Sequence, residues 1–330
     1  MKLAVIGAGS WGTAVASLAC RNNPTLLWAR RPELAAAITR EGQNTAYLPG
    51  HQLPDALTAT SDLREALTEA EAVAVAVPSH GFRDVVEGIK ELDPSVPVVS
   101  LTKGIEQGTL RRMTEVVLEV MPHHQPGRVG VLTGPNLAEE VAGGQPAAAV
   151  LAMRDEAAAL ALRSTFMGPT FRIYTNTDVV GCELAGALKN VMAIAAGMSD
   201  GLGFGDNTRA ALITRALAEL TRLGVALGGT TATFAGLAGM GDLIATCTSS
   251  RSRNFRVGLE LAADKPIDQI VGEMRMVAEG VKTTAAVLEL AARSGVEMPI
   301  ATQVGRVLYN GVRPRDAVLE LMAREPKAEG

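Results

Sequence analysis

Aromatic residues make up only 3% of this 330-residue chain, too few for base-stacking platforms or an aromatic-rich interface. Basic residues are not in excess either. Lys and Arg number 31 against 35 Asp and Glu, a net charge of −4, which argues against the chain-wide basic footprint of a nucleic-acid-binding domain. Cysteine is scarce, with three residues (Cys20, Cys182, Cys247) and no C-x-x-C spacing, and histidine numbers four. These spacings assemble no zinc site, and a reduced compartment is the simplest setting. Long apolar runs are also missing. The opening "MKLAVIGAGSWG" is broken by glycine after six residues and lacks the length and flanks of a signal peptide. No run approaches the roughly 18 apolar residues that a membrane span needs. A cytoplasmic location is therefore expected. There is no internal repeat, and only "REPKAEG" at the end reads as a frayed tail.

What is present suffices for two sizeable cores. The composition is 47% hydrophobic and 20% charged, and the length suggests about two domains of roughly 150 residues. Up to residue 175 short apolar runs alternate with amphipathic stretches. "KLAVIG" (2–7), "TLLWA" (25–29), "AVAVAVP" (72–78), "VPVVSLT" (96–102) and "RVGVLTG" (128–134) read as strands. Their continuous apolarity suits strands buried on both faces of a parallel sheet. Segments such as "SWGTAVASLACRN" and "RPELAAAITREG" between them read as helices. The rhythm predicts an α/β architecture, a Rossmann-type doubly wound, mainly parallel sheet over 1–175. From 176 to 330 the patterns are helical, as in "DVVGCELAGALKNVMAIAAGM" and "KTTAAVLELAARSG", which predicts an all-helical second domain.

The N-terminal glycines carry the first chemical signal. Gly7, Gly9 and Gly12 have the G-x-G-x-x-G spacing directly after a strand and at the opening of a helix. In a dinucleotide site the first permits a tight turn, the second lets backbone approach a pyrophosphate, and the third lets helix and strand pack closely. The helix N-terminus adds N–H groups and the positive end of a dipole. At the end of the next strand an acid would accept the ribose 2′-OH of NAD, whereas arginine suits a 2′-phosphate. "LLWARRPE" presents Arg30 and Arg31 and no acid before Glu33. NADP(H) is expected over NAD(H), the alternative being a solvated arginine pair at a helix start. Pro78 and Ser79 in "VPSHGF" fall at the carboxyl edge of the sheet, where such folds bind ligands.

The same edge receives Lys103 in "SLTKGIE", and Gly134 and Asn136 in "LTGPNLAEE", with Asn136 a candidate N-cap. In the helical half, "ELAGALKNVMAIAAGM" (183–198) sets Lys189 and Asn190 inside an apolar helix. A buried ammonium needs a partner, and the small residues around it leave room for tight packing or for a ligand. "GMGDLIATCTSSRSRNFR" concentrates Asp242, Thr246, Ser252, Arg253 and Asn254. Asp242 could supply the carboxylate for Lys189, and the Ser- and Arg-rich helix start could grip a phosphate. The competing reading of this stretch is a polar surface loop.

Together with "GAGSWGTA", "VPSH", "TKGIE", "AGMGDL", "SRNFR" and "VAEGVKT", these motifs run in order from residue 4 to about 310. The chain resembles the bacterial NAD(P)-dependent glycerol-3-phosphate dehydrogenases over nearly its whole length. The resemblance implies reversible hydride transfer between NAD(P)H and the C2 carbonyl of dihydroxyacetone phosphate, giving sn-glycerol 3-phosphate for phospholipid synthesis, without a metal. It implies Lys189 as general acid/base and Lys103 as a substrate-binding residue near the nicotinamide. Asp242, Ser252, Arg253 and Asn254 are implied to contact substrate, Arg253 also reaching the cofactor, with Gly134, Asn136, Asn190 and Thr246 in the same site. Ser10, Trp11, Arg30, Arg31, Tyr47, Pro78, Ala138, Val277 and Glu279 fall on the cofactor side. Two departures stand out: Asn136 where the family commonly has Ser or Thr, and Ala278 in "MVAEG" where Val is usual. A lysine with its ordinary pKa of about 10.4 is a poor base near neutrality, so burial and the nearby Lys103 are expected to lower that of Lys189. A homodimer built through the Ala- and Gly-rich helices is also expected. The alternatives are an NADP(H)-binding regulatory protein without catalysis, or a dehydrogenase of another small hydroxy acid.

Overall fold

The computed structural model describes residues 1–274 and 278–325. Ten strands form in the first half: β1 (Leu3–Ile6), β2 (Thr25–Trp28), β3 (Gln43–Asn44), β4 (Leu48–Gln52), β5 (Thr58–Thr60), β6 (Ala72–Val75), β7 (Val98–Ser100), β8 (Val129–Thr133), β9 (Ala147–Met153) and β10 (Phe171–Asn176). Eight of them make one sheet in the order β10-β9-β8-β7-β6-β1-β2-β5, and β3 and β4 pair as a separate antiparallel hairpin. Every neighbouring pair in the main sheet is parallel except β8 with β9. The helices between them are α1 (Ser10–Ala19), α2 (Pro32–Glu41), α3 (Leu63–Leu67), α4 (Phe82–Glu87), α5 (Met113–Val120), α6 (Ala138–Ala142) and α7 (Glu156–Phe166).

Both faces of the sheet are covered, which is why its strands read as unbroken apolar runs. Leu3 and Val5 face one core with Val15, Leu18 and Leu162, while Ala4 and Ile6 face the other with Phe82, Val86 and Val116. The mostly parallel α/β domain followed by helices matches the expected fold class. The alanine-rich β9, the polar hairpin, the short β5 and the edge strand β10 were not expected from periodicity. "AAAVLAM" carries helix-favouring alanines that tertiary pairing overrides.

Past Asn176 the chain is helical among the described residues: α8 (Val179–Gly201), α9 (Asp206–Ala226), α10 (Thr231–Ala235), α11 (Asp242–Thr248), α12 (Arg253–Ala262), α13 (Ile267–Glu273), α14 (Glu279–Arg293), α15 (Pro299–Asn310) and α16 (Pro314–Met322). The 23-residue α8 is the axis of this half. Asp178 caps it by accepting the Gly181 N–H at 2.8 Å, and its other carboxylate oxygen accepts from Thr230 and Thr233. An all-round apolar helix of this kind has to be enclosed. By length and composition α8 could cross a membrane, yet 94% of that window is buried inside the protein. The sequence reading finds no such span because Glu183 and Lys189 interrupt it. Glu183 also ties α8 to the sheet domain, accepting from Arg112 at 2.7 Å and from the Thr114 N–H at 2.9 Å.

The contact of α8 with α12 is backbone against backbone. A Cβ on Gly197 would lie 2.0 Å from the Phe255 carbonyl oxygen, and one on Gly258 would lie 2.2 Å from that of Ile194. Neither helix can yield without separating from the other. Gly197→Ala is therefore expected to destabilise the protein by about 3 kcal/mol in a urea melt.

Candidate active site

A cavity of ≈ 690 Å³ opens along the carboxyl edge of the sheet, between it and the helical half. Its position follows from the topology, since the loops after β1, β2, β6, β7 and β8 all leave the sheet at that edge. One end holds the glycine turn. Gly7 has φ +120°, and a Cβ on Gly12 would meet the Gly7 carbonyl oxygen at 2.0 Å. Both are needed for the turn and for its closeness to α1. On Gly9 a Cβ would meet nothing within 4 Å, so this residue leaves an open cradle beside the first turn of α1. That arrangement fits a dinucleotide pyrophosphate. Ser10, Trp11, Arg30, Arg31 and Tyr47 line the same end. The Arg31 guanidinium stacks over the Tyr47 ring at 5.5 Å, and Trp11 packs edge-on to Phe171 with ring centroids 6.2 Å apart.

The other end is electrostatic. Asp242 is 2% exposed and takes both lysines. Lys189 Nζ is 2.9 Å from Oδ1 and Lys103 Nζ is 2.6 Å from Oδ2. Lys103 also donates to the Gly134 carbonyl at 2.8 Å, and Lys189 donates to Thr246 Oγ1. Two ammonium groups against one carboxylate leave a net charge of +1 at the cavity wall. The Lys103 ammonium is lowered to about 8: burial is the main cause and the Lys189 charge adds to it, while Asp242 opposes both. A five-residue π-helical turn, Leu237–Gly241, precedes Asp242. Such turns are often found at functional sites, and here the tight Gly239 backbone contact with Phe234 shapes it.

A chain of amides binds the two halves of the site. Asn190 Nδ2 donates to the Lys103 carbonyl at 3.1 Å, Asn254 Nδ2 donates to Asn190 Oδ1 at 2.9 Å, and the Gly280 N–H donates to Asn254 Oδ1 at 2.9 Å. Ser252 caps α12 by accepting the Phe255 N–H, which leaves Arg253 at the helix start facing the cavity. Glu279 lies 200 positions from Ser79 in sequence, and its carboxylate accepts from the Ser79 N–H at 3.1 Å and from its hydroxyl at 2.6 Å.

Pro78, Lys103, Asn136, Ala138, Lys189, Asn190, Asp242, Thr246, Ser252, Arg253, Asn254 and Glu279 all line this one cavity. Gly12 and Gly134 do not; they act through packing and through the carbonyl that receives Lys103. Val277 lies outside the described residues. Asn136 is not the N-cap of α6. That position is Leu137, and Asn136 donates instead to the Ala148 carbonyl on β9 at 3.0 Å, a strand the sequence reading did not contain. The sequence reading also misses His80, Asp84, Glu139 and Arg251 in the lining. Arg251 bridges the mouth to Glu140 at 2.7 Å and Glu139 at 3.7 Å. The first arginine of "SSRSRN" is the one signal that pointed there. Among the described residues no group of His, Cys, Asp and Glu is placed to hold a metal ion.

A glycine turn shaped for a pyrophosphate, joined in one cavity to one buried and one half-buried ammonium on a shared carboxylate, defines a dinucleotide-dependent oxidoreductase. The family models for the N-terminus and the C-terminus of NAD-dependent glycerol-3-phosphate dehydrogenase match residues 2–159 and 178–319. The chain belongs to that family. It is 56% identical over 305 residues to glycerol-3-phosphate dehydrogenase (NAD(P)+) 2 of Sphingopyxis alaskensis, covering 92% of this chain and 91% of that one. It is 53% identical to the Mycobacterium avium glycerol-3-phosphate dehydrogenase (NAD(P)+), covering 99% and 96% of the two chains. The crystal structure of the Coxiella burnetii glycerol-3-phosphate dehydrogenase superposes with a TM-score of 0.91 at 39% identity, covering 98% and 99%.

Proposed function

We propose that the chain catalyses the reversible reduction of dihydroxyacetone phosphate to sn-glycerol 3-phosphate, supplying the glycerophosphate backbone for phospholipid synthesis. The observation that carries this reading is the Lys103–Asp242–Lys189 cluster opening onto the same cavity as the glycine turn. When bound, NAD(P)H supplies the hydride for the C2 carbonyl. The residues do the rest. As negative charge builds on the ketone oxygen, the net +1 cluster stabilises it, and Lys189 delivers the proton that completes the alcohol. In the reverse direction the same nitrogen takes that proton back. Asp242 and Thr246 aim Lys189, while Lys103 carries the second positive charge. Arg253 and Asn254, at the start of α12, hold the substrate phosphate and fix the carbonyl in place.

NADP(H) is the preferred cofactor on this reading, because Arg30 and the Tyr47-stacked Arg31 line the cavity just after β2 and offer two guanidinium groups suited to a 2′-phosphate. The remaining cofactor side is Ser10, Trp11, Pro78, Ala138, Val277 and Glu279. The division between the domains falls at 175/176, the working form is a homodimer, and the location is cytoplasmic. A spectrophotometric assay with dihydroxyacetone phosphate, run with NADPH and NADH side by side, is expected to show turnover with both and a lower KM for NADPH. A clear NADH preference would overturn the reading of Arg30 and Arg31. Nucleotide binding without ketone-dependent oxidation would mark a sensor, and turnover confined to another hydroxy acid would move the substrate assignment.

A further inference from the structure

We propose that Asn44 is a positioning residue that fixes the two ends of the dinucleotide site relative to each other and so sets the discrimination between NADPH and NADH. Asn44 sits at the end of β3, is fully buried, and does not line the cavity. Its side-chain amide makes three directed bonds. Nδ2 donates to the Ala8 carbonyl at 2.9 Å and to Thr13 Oγ1 at 2.8 Å, and Oδ1 accepts the Tyr47 N–H at 3.1 Å. The orientation is unambiguous, since the Ala8 carbonyl can only accept and the Tyr47 N–H can only donate. Ala8 is the residue between the first two glycines of the turn, and Thr13 stands in the first turns of α1. Tyr47 carries the ring on which Arg31 lies. One amide therefore joins the pyrophosphate cradle to the arginine–tyrosine pair.

The body of the hairpin has a separate anchor, the fully buried Leu48, and the Leu53 N–H donates to the Gly42 carbonyl at its base. Loss of the Asn44 amide thus leaves the hairpin in place and frees its tip. A carboxylate of the same shape would lose both donors and face the Ala8 carbonyl with like charge. This inference rests on the reading that Arg30 and Arg31 receive the 2′-phosphate, and Arg31→Ala tests that reading by itself.

The test measures kcat, the KM for each cofactor and the binding of NADPH and NADH by fluorescence titration, for Asn44→Asp and Asn44→Ala. Thr13→Val removes one of the three bonds at constant shape and serves if the others do not fold. Asn44→Asp is expected to raise KM for NADPH at least about tenfold, to lower the NADPH/NADH preference, and to keep kcat at saturating cofactor within about twofold. Thr13→Val is expected to shift the same quantities in the same direction by about threefold. Unchanged cofactor KM values, or a loss of kcat with the preference intact, would overturn the proposal. If Arg31→Ala leaves the preference unchanged, the 2′-phosphate reading fails. If Arg31→Ala lowers it and both Asn44→Asp and Thr13→Val do not, the tether alone fails.

Discussion

Lys189→Ala is expected to lower kcat by about four orders of magnitude while the Kd for NADPH moves by less than about threefold. General acid catalysis is typically worth roughly 10²–10⁴, and a donor at a developing oxyanion roughly 10²–10³. The two roles reside in one nitrogen and overlap, so the factors do not multiply in full. The variant keeps its fold because Asp242 retains Lys103 at 2.6 Å, which leaves the cluster neutral instead of stranding a buried charge. The glycine turn at the far end of the cavity makes no bond to Lys189, so fluorescence titration should find NADPH binding nearly as before. Loss of cofactor binding with turnover retained would remove Lys189 from the chemistry. A kcat within about tenfold of the parent would pass the proton-transfer role to Lys103, the other ammonium of the pair.

Asp242→Asn is the second large effect, and it is expected to strike stability and pH dependence together. The substitution keeps the shape and deletes the carboxylate that pairs with both the buried Lys189 and the half-buried Lys103 ammonium. Removing one partner of a buried ion pair costs about 3–5 kcal/mol. In the parent, Lys103 titrates near 8 instead of its ordinary 10.5, so the reductive rate should fall as pH rises through about 8 and the cluster goes from +1 to neutral. Asp242 is the attraction that holds this value up against burial and Lys189. Without it the fall should begin at lower pH. The sign for stability follows from the same shift. A lysine whose folded pKa lies below its unfolded value binds fewer protons when folded, so rising pH relieves its penalty between the two values. The melting-temperature deficit of Asp242→Asn should therefore shrink toward alkaline pH. A deficit that stays constant with pH would show that the loss is one of packing and not of charge.

The sequence exposed the parts of this molecule that depend on local chemistry. Gly7, Gly9 and Gly12 announce their turn because no side chain fits there. The Val- and Ala-rich β1, β6 and β7 announce themselves because both faces are covered. Asp242 was legible as a partner for Lys189, since an ammonium in an apolar helix demands one. What stayed hidden depends on distant packing. That Asp242 also takes Lys103 follows from how three elements converge. The antiparallel β9, written largely in alanine, gives no periodic sign of itself, and the misplacement of Asn136 as an N-cap follows from missing it. Ser79 and Glu279 meet across 200 positions, and no local pattern encodes such a meeting.

The backbone seam between α8 and α12 has a metric consequence. One helix carries the Lys189 ammonium and the other begins with the residues proposed to grip phosphate, and their backbones meet at Gly197 and Gly258 without a side chain between them that could swing aside. The separation of proton donor and phosphate grip is thereby held like the jaws of a fixed gauge. A ketone one carbon nearer to its phosphate, or one carbon farther away, would satisfy one jaw and miss the other. On the proposed mechanism, length selection is thus written in two glycines that line no part of the cavity.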